Sequence, residues 1–316
     1  MPPLRLIFFG TAELACQSLA ALAREPAFAI LGVVTQPDRP KGRDLKLRPS
    51  PVKELALRLG LSVWQPERAR SEPFIQTLRP LAPDLITVAA YGQMLPPALL
   101  ALPRFGCLNV HASLLPKHRG AAPIQWALLN GDSVTGVTIM QMDTTLDTGD
   151  VVAQQTTSIA LSDNAQTLHD RLAALGAELL VKTIPDYVAG KIKPQKQPAE
   201  GASYARKLTK EDGRLDWRRP AAELWNRVRA LTPWPGAFTF LPAEPGPILL
   251  KVWQAAPEPG APAQPGTILQ AGKAGLLVAC GQDALRITEL QREGGKRLRV
   301  ADFLSGFPLR AGQSLG

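Results

Sequence analysis

Cysteine is scarce in this chain. Cys16, Cys107 and Cys280 are the three present in 316 residues, they stand far apart, and no CxxC pair occurs. Neither a disulfide framework nor a thiolate zinc site is therefore expected, and the reducing cytoplasm is the expected setting. Histidine is equally sparse, with three residues and no HExxH motif, so the sequence gives no basis for a metal centre. No apolar run approaches the ~20 residues that a membrane span needs. The opening Met1–Gly10 does not have a signal-peptide layout, because its apolar run is short and ends in Gly. Gly10-Thr11 resembles half of an anion-binding loop, but neither GxGxxG nor GxxxxGK[ST] follows, which leaves a nucleotide cofactor without support. No Ser or Cys sits in a nucleophile elbow, so covalent catalysis is not expected.

What is present is an ordinary globular composition, 45% hydrophobic and 20% charged, at a length that suits about two domains. The charge is lopsided: 36 Lys and Arg against 27 Asp and Glu leave a net +9. Such a chain attracts polyanions. The cations cluster. Gln36–Ser50 carries Arg39, Lys41, Arg43, Lys46 and Arg48, opposed by Asp38 and Asp44 and punctuated by Pro37, Pro40, Gly42 and Pro49. This composition predicts a long basic loop after a strand, either solvated or built to grip phosphates. More cations follow at Lys191, Lys193 and Lys196, at Arg206, Lys207, Lys210 and Arg214, and at Arg292, Lys296, Arg297 and Arg299.

The first 184 residues alternate in pattern. Apolar runs at Leu6–Gly10, Ala29–Thr35, Leu85–Ala90, Leu108–His111 and Val134–Met142 read as strands, with helical stretches such as Thr11–Arg24 and Asn164–Ile184 among them. Continuous apolar runs predict strands buried on both faces of a largely parallel α/β sheet, whose ligands bind beyond the carboxyl ends of the strands. Pro185–Ser203, rich in Lys, Gln and Pro, reads as an extended connector. Beyond it come a helix at Pro220–Ala230 and short strands at Ala237–Leu241, Ile248–Ala255, Gly266–Gln270, Gly275–Ala279 and Ala284–Leu290, which predict a small β-barrel or sandwich.

Two segments could carry chemistry. In Leu108-Asn-Val-His111, Asn109 and His111 are two apart, so on a strand both side chains face the same side. An amide offers a fixed donor for a developing oxyanion, and an imidazole exchanges protons near neutral pH. The alternative is a strand-end Asn and His satisfied within the fold. The second segment, Met140–Asp150, supplies Asp143, Asp147 and Asp150 after another strand. If the two strands run parallel, both segments reach one sheet edge, where Asp147 could contact His111, with Asp143 and Asp150 as competitors and simple turn bonding as the alternative. His169, alone in a helical stretch, reads as solvated or packed.

These segments resemble the methionyl-tRNA formyltransferase family. The matching stretches are Thr35–Arg43, Ala90-Tyr-Gly92, Asn109–Ile124 with its Asn-x-His-x-Ser-Leu-Leu-Pro, Gly136–Asp143, Leu146-Asp-Thr-Gly-Asp150, Tyr204–Trp217 and Pro233-Trp-Pro-Gly236. They cover nearly the whole chain in the family's order. The resemblance implies an α/β Rossmann-like formyltransferase domain followed by an OB-like β-barrel domain. The limits expected are 1–189 for the catalytic domain, 190–203 for a basic Pro/Gln linker and 204–316 for the tRNA-binding domain. It implies 10-formyltetrahydrofolate as donor without a metal, and the α-amine of methionyl initiator tRNA as acceptor. It further implies catalysis by Asn109, His111 and Asp147 and folate binding at Ser113, Leu114, Leu115 and Pro116, and it puts Arg43 in the loop that the family uses against the acceptor arm. The clustered charge adds Arg39, Lys41, Lys46, Arg48, Lys207 and Lys210 as expected tRNA contacts. A cytoplasmic monomer with tRNA lying across both domains is the simplest arrangement. Thr145, where the family usually has Gly, and Thr11–Ala15, which lacks an aromatic often found there, depart from the pattern. A formyltransferase for amino-sugar nucleotides would keep the same three residues without requiring the basic loop. A non-catalytic RNA-binding module would explain the charge but not the three residues.

Overall fold

The computed structural model describes residues 2–41, 46–260 and 262–316. The chain divides into two compact units. The first comprises Met1–Pro123, Val134–Ser158 and His169–Arg206, and the second Ile124–Ser133, Ile159–Leu168 and Lys207–Gly316.

The elements run β1 (Leu4–Gly10), α1 (Leu14–Arg24), β2 (Phe28–Val34), β3 (Arg39–Lys41), β4 (Lys46–Arg48), α2 (Pro51–Arg58), β5 (Val63–Trp64), α3 (Glu72–Leu78), β6 (Leu85–Ala89), α4 (Pro97–Leu100), β7 (Cys107–His111) and β8 (Arg119–Gly120). Then come α5 (Pro123–Leu129), β9 (Val134–Gln141), β10 (Val151–Ser158), α6 (Ala165–Val188) and β11 (Tyr204–Ala205). Seven strands form one sheet in the order β10-β9-β7-β6-β1-β2-β5. Its centre is made by largely apolar strands covered on both faces: Leu6, Ile7, Phe8 and Phe9 of β1 are fully buried. Helix α1 covers the sheet with Leu14, Ala15, Ser18, Leu19 and Leu22, the spacing of a single helical stripe.

From β5 to β7 the pairings are parallel, as the sequence implies. Strand β9 departs from that expectation, since it runs antiparallel to β7, with Leu108 opposite Gln141 and His111 opposite Thr138. A parallel pairing needs a crossover that carries the chain back along the sheet. Here the segment 112–133, with β8 and α5, instead returns the chain to β9 at the end where β7 stops. Strand β10 is an edge strand with one buried residue, Val152, so it offers no long apolar run to read. Helix α6 also continues past the expected stop at Pro185 to Val188. The proline forfeits one backbone bond, but Leu180 and Ile184 are fully buried and the Tyr187 hydroxyl donates to the Phe105 carbonyl at 2.9 Å, which fixes the last turn.

The second unit holds α7 (Ala221–Leu231), β12 (Ala237–Leu241), β13 (Ile248–Glu258), β14 (Ile268–Gly272), β15 (Gly275–Ala279), β16 (Ala284–Arg292), β17 (Leu298–Arg299) and α8 (Val300–Gly306). The strands form an antiparallel sheet in the order β12-β13-β16-β15-β14, with β17 beside β16. This architecture fits an OB-like barrel. Its core gathers Trp217, Leu224, Val228, Leu250, Val252, Leu285 and Ile287. The Trp217 indole donates to the buried Thr239 hydroxyl at 2.9 Å, which lets a large amphipathic ring sit inside. Strand β13 extends beyond the expected Ala255, and β17 and α8 are too short to read from periodicity.

All three cysteines are free. Burial pushes the Cys107 thiol up to about 12, and burial first of all does the same to Cys280. Thiolate is the reactive form. Alkylation of the native protein at pH 8 should therefore spare Cys107 and Cys280, with both reacting once the chain unfolds. Mass spectrometry of the alkylated protein before and after denaturation checks this.

Candidate active site

Strand order reverses at β1: the chain moves from β1 to β2 on one side and later places β6 on the other. Crevices at such switch points, beyond the strand carboxyl ends, are where open α/β sheets bind ligands. The turn after β6 is unusual, with φ of 42° at Ala90 and 86° at Gly92. It is fixed to its neighbours through one carbonyl. Thr11 Oγ1 donates to the Tyr91 carbonyl at 2.9 Å, and Gln36 Nε2 donates to the same oxygen at 2.8 Å. The ends of β1, β2 and β6 thus share one knot. Beside β6 in parallel register lies β7, with Ala89 opposite Val110, so the carboxyl end of β7 opens next to that turn.

Asn109 and His111 occupy that end, two residues apart on one strand face and almost buried, at 9% and 6% exposure. His111 Nε2 lies 3.0 Å from the His118 carbonyl. A carbonyl only accepts, so Nε2 carries the hydrogen of that bond and Nδ1 is the nitrogen left to exchange a proton. Nδ1 faces Asp147 Oδ2 at 3.7 Å. The same carboxylate oxygen accepts the Gly120 N–H at 2.8 Å. Because β9 runs antiparallel, strand direction does not deliver Asp147 here. The turn after β9 does, with Asp147 itself at φ 54°. Gly149 allows this turn to close: a Cβ there would collide with the Gln141 carbonyl.

Of the competing carboxylates, Asp143 is spent inside the turn. Its Oδ1 accepts the Thr145 N–H and hydroxyl, both at 2.9 Å, and its Oδ2 accepts the Thr148 hydroxyl at 2.9 Å. The Thr145 departure from the family pattern thus adds an internal bond. Asp150 meets β9 through its backbone carbonyl, which accepts from Gln141 N at 2.8 Å. His169 pairs with its neighbour Asp170 at 2.9 Å.

Ser113–Pro116 follows β7 as a tied-down turn. Ser113 is fully buried and its hydroxyl donates to the Lys117 carbonyl at 2.6 Å. Leu115 N donates to Thr138 Oγ1 at 3.1 Å, and the Leu115 carbonyl accepts from Gln154 Nε2 at 2.8 Å. Leu114 lies over Gly136, Leu115 is buried and Pro116 follows a cis peptide bond. The side chains of Ser113 and Leu115 therefore serve the turn itself, and only partly exposed Leu114 and Pro116 reach its surface.

The basic segment is an antiparallel ribbon of β3 and β4 rather than a plain loop, with Arg39 opposite Arg48. Its base is clasped. Thr35 and Ser50 hydroxyls meet at 2.7 Å, and Asp38 takes Lys53 Nζ and Gln65 Nε2, each at 2.7 Å. Those two hydrogen bonds hold the Asp38 carboxyl below its ordinary range. Asp38, which opposes the loop's charge in sequence, is thus turned to the base. Arg39 makes a loose, exposed contact with Glu67 at 3.6 Å, while Lys46 and Arg48 are exposed. Arg43 and the side chain of Lys41 lie outside the described residues. In the second unit Lys207 and Lys210 are exposed. Among the described residues no group of three or more His, Cys, Asp or Glu is placed to hold a metal ion, and no helix is long and apolar enough to cross a membrane.

The formyl transferase family model matches residues 4–184, and its C-terminal domain model matches residues 207–308. The methionyl-tRNA formyltransferase of Geobacter sulfurreducens is 48% identical over 316 residues, covering 100% of this chain and 98% of the relative. The chain belongs to the methionyl-tRNA formyltransferase family. The Myxococcus xanthus member of that family is 50% identical over 308 residues, 98% of this chain and 96% of the relative. Among solved structures, an N-formyltransferase from Helicobacter canadensis in complex with folinic acid and dTDP-3-aminofucose superposes with a TM-score of 0.63 at 16% identity, covering 93% of this chain and 100% of that one. At that identity the likeness speaks for the fold alone. Both expected folds, the Rossmann-like domain and the OB-like domain, agree with these matches.

Two participants escaped sequence reading. Gly120 supplies the N–H that Asp147 accepts, and it holds φ 117° where a Cβ would approach the Ala205 carbonyl at 2.7 Å. Gln197, in the supposed connector, bonds to the Asp147 turn. A glycine at the close of the segment that holds His111 is a signal visible in the sequence. The Gln197 contact spans 50 residues and leaves none.

Proposed function

We propose that this protein transfers the formyl group of 10-formyltetrahydrofolate to the α-amine of methionine carried by initiator tRNA, supporting translation initiation in the cytoplasm as a monomer. The full-length identity to methionyl-tRNA formyltransferases carries the choice of acceptor. The juxtaposition of Asn109, His111 and Asp147 carries the chemistry. In this reading residues 1–189 catalyse, 190–203 link, and 204–316 bind tRNA.

The folate donor supplies an activated formyl carbon, and the site fits such a substrate. It is an almost buried pair of polar side chains at the carboxyl end of a strand, beside a positive-φ turn at the switch point. Attack by the neutral amine forms the new C–N bond and drives charge onto the formyl oxygen. Asn109 donates its amide N–H to that oxygen, with His111 assisting. Breaking the bond to the folate nitrogen requires a proton there, and the amine must lose one. His111 Nδ1, oriented by Asp147, is the group positioned to carry protons between them. Ser113–Pro116 shape the folate side of this pocket. Arg39, Lys41, Arg43, Lys46 and Arg48 of the basic segment, with Lys207 and Lys210, supply cations for tRNA phosphates.

Counterion release makes such contacts salt-sensitive. Two neutralised phosphates would lower binding roughly tenfold between about 50 and about 200 mM salt. Transfer to methionyl initiator tRNA at limiting tRNA is expected to fall at least that far. A salt-insensitive rate, or transfer to an amino-sugar nucleotide in preference to tRNA, would refute the acceptor.

A further inference from the structure

Asp147 stands at φ 54°, a conformation that a residue with a Cβ keeps when its surroundings hold it there. The surroundings are specific. Gln197 Nε2 donates to the Asp147 carbonyl at 2.9 Å and to the Gly149 carbonyl at 2.8 Å. Its Oε1 accepts from Arg119 Nε at 3.0 Å and Arg119 Nη2 at 2.7 Å. The amide has no freedom to flip, because a guanidinium only donates and the two carbonyls only accept. Every polar position of Gln197's amide group is therefore directed by its partners. Arg119 is the residue immediately before Gly120, whose N–H donates to the Asp147 carboxylate. One short strand thus grips Asp147 from two sides: directly at the carboxylate, and through Gln197 at the backbone.

The segment around Gln197 is itself fastened. Gln195 exchanges both backbone hydrogen bonds with Val151 at 2.8 Å, just after the turn. Ser203 Oγ accepts His118 N at 2.9 Å, and β11 pairs with β8 in parallel. A stretch whose composition reads as an extended tether is a strap over the turn.

We propose that Gln197, locked by Arg119, is the positioning residue of the Asp147 turn, holding the carboxylate opposite His111 Nδ1. This rests on the reading of Asp147 as part of the active site, and it adds a role in the chemistry to a connector otherwise credited with linking. Without the amide, two turn carbonyls lose their donor and Asp147 is free to leave the left-handed region, carrying its carboxylate away from the imidazole. A substitution here should then act on turnover and on the pH dependence of turnover, not on binding of either substrate.

The test uses the full chain with Gln197→Ala and Gln197→Asn, beside Asp147→Asn. Steady-state kinetics with methionyl initiator tRNA are paired with hydrogen exchange of the peptides covering Gly120 and 143–150. Gln197→Ala is expected to lose tenfold or more in kcat with both KM values within about twofold. Its pH–rate profile should shift, and exchange should quicken in those peptides. Gln197→Asn, one methylene short, should show a weaker version of each change. Arg119→Lys, which keeps the charge but loses the paired donors, should lower kcat several-fold and covers the case in which Gln197→Ala does not fold. Unchanged exchange around Gly120 and the turn would overturn the proposal, as would a loss confined to the KM for tRNA. Faster exchange in Gln197→Ala, together with full activity in Asp147→Asn, would leave the strap standing and place the failure in the catalytic reading of Asp147 instead.

Discussion

Asp147→Asn should lower turnover by a factor on the order of a hundred to ten thousand, the range that a positioned acid–base group contributes. The substitution is nearly isosteric. One oxygen, Oδ2, both accepts the Gly120 N–H at 2.8 Å and faces His111 Nδ1 at 3.7 Å. An asparagine carbonyl can keep the first contact, so the turn should hold its shape. It cannot present a negative charge to the imidazole. His111 would still carry its hydrogen on Nε2 toward the His118 carbonyl, but a proton arriving on Nδ1 would no longer be stabilised. The loss should fall on kcat, with the KM for tRNA and donor little changed, because the missing interaction strengthens only as charge develops. Single-turnover rates across pH 6–9 measure it. Turnover within a few-fold of the parent would remove Asp147 from the proton path.

Asn109→Ala should cost on the order of a hundredfold to a thousandfold in turnover, the usual effect of deleting one donor to a developing oxyanion. Asn109 sits at 9% exposure in β7, between Val88 of β6 and Met140 of β9 in the sheet register. Its backbone is held on both sides, so removing the amide should leave the strand in place and the variant folded. If Asn109 and His111 act as one unit, Asn109→Ala combined with His111→Ala will lose much less than the product of the two single losses. Multiplying losses would mean that the two side chains serve separate steps. Unchanged turnover in Asn109→Ala would end its assignment to the oxyanion.

The sequence made some of this legible and hid the rest for physical reasons. Asn109 and His111 are readable because a two-residue spacing on a buried strand fixes a common face. The central strands are readable because burial on both faces demands continuous apolar runs. Direction is a different matter: an apolar run in β9 looks the same whether the strand runs parallel or antiparallel. Edge strand β10, with Gln154, Thr156 and Ser158 exposed, gives little hydrophobic signal beyond its opening Val151-Val152-Ala153. Spacing alone leaves three carboxylates, from which the family resemblance singles out Asp147; the physical choice turns on which of them the turn spends internally on Thr145 and Thr148. Gln197 was hidden most completely. Its surroundings in sequence, Lys, Gln and Pro, describe a tether, while its bonds to Arg119 and Asp147 reach 78 and 50 residues back along the chain.

One assay reads both the transfer itself and its choice of acceptor. The most direct measurement follows labelled formyl from 10-formyltetrahydrofolate to methionine-charged initiator tRNA, with methionine-charged elongator tRNA in parallel under the same salt. Rapid transfer to the initiator with little to the elongator is the predicted result. No transfer to either, with the donor intact and the protein folded, would rule out tRNA as the acceptor.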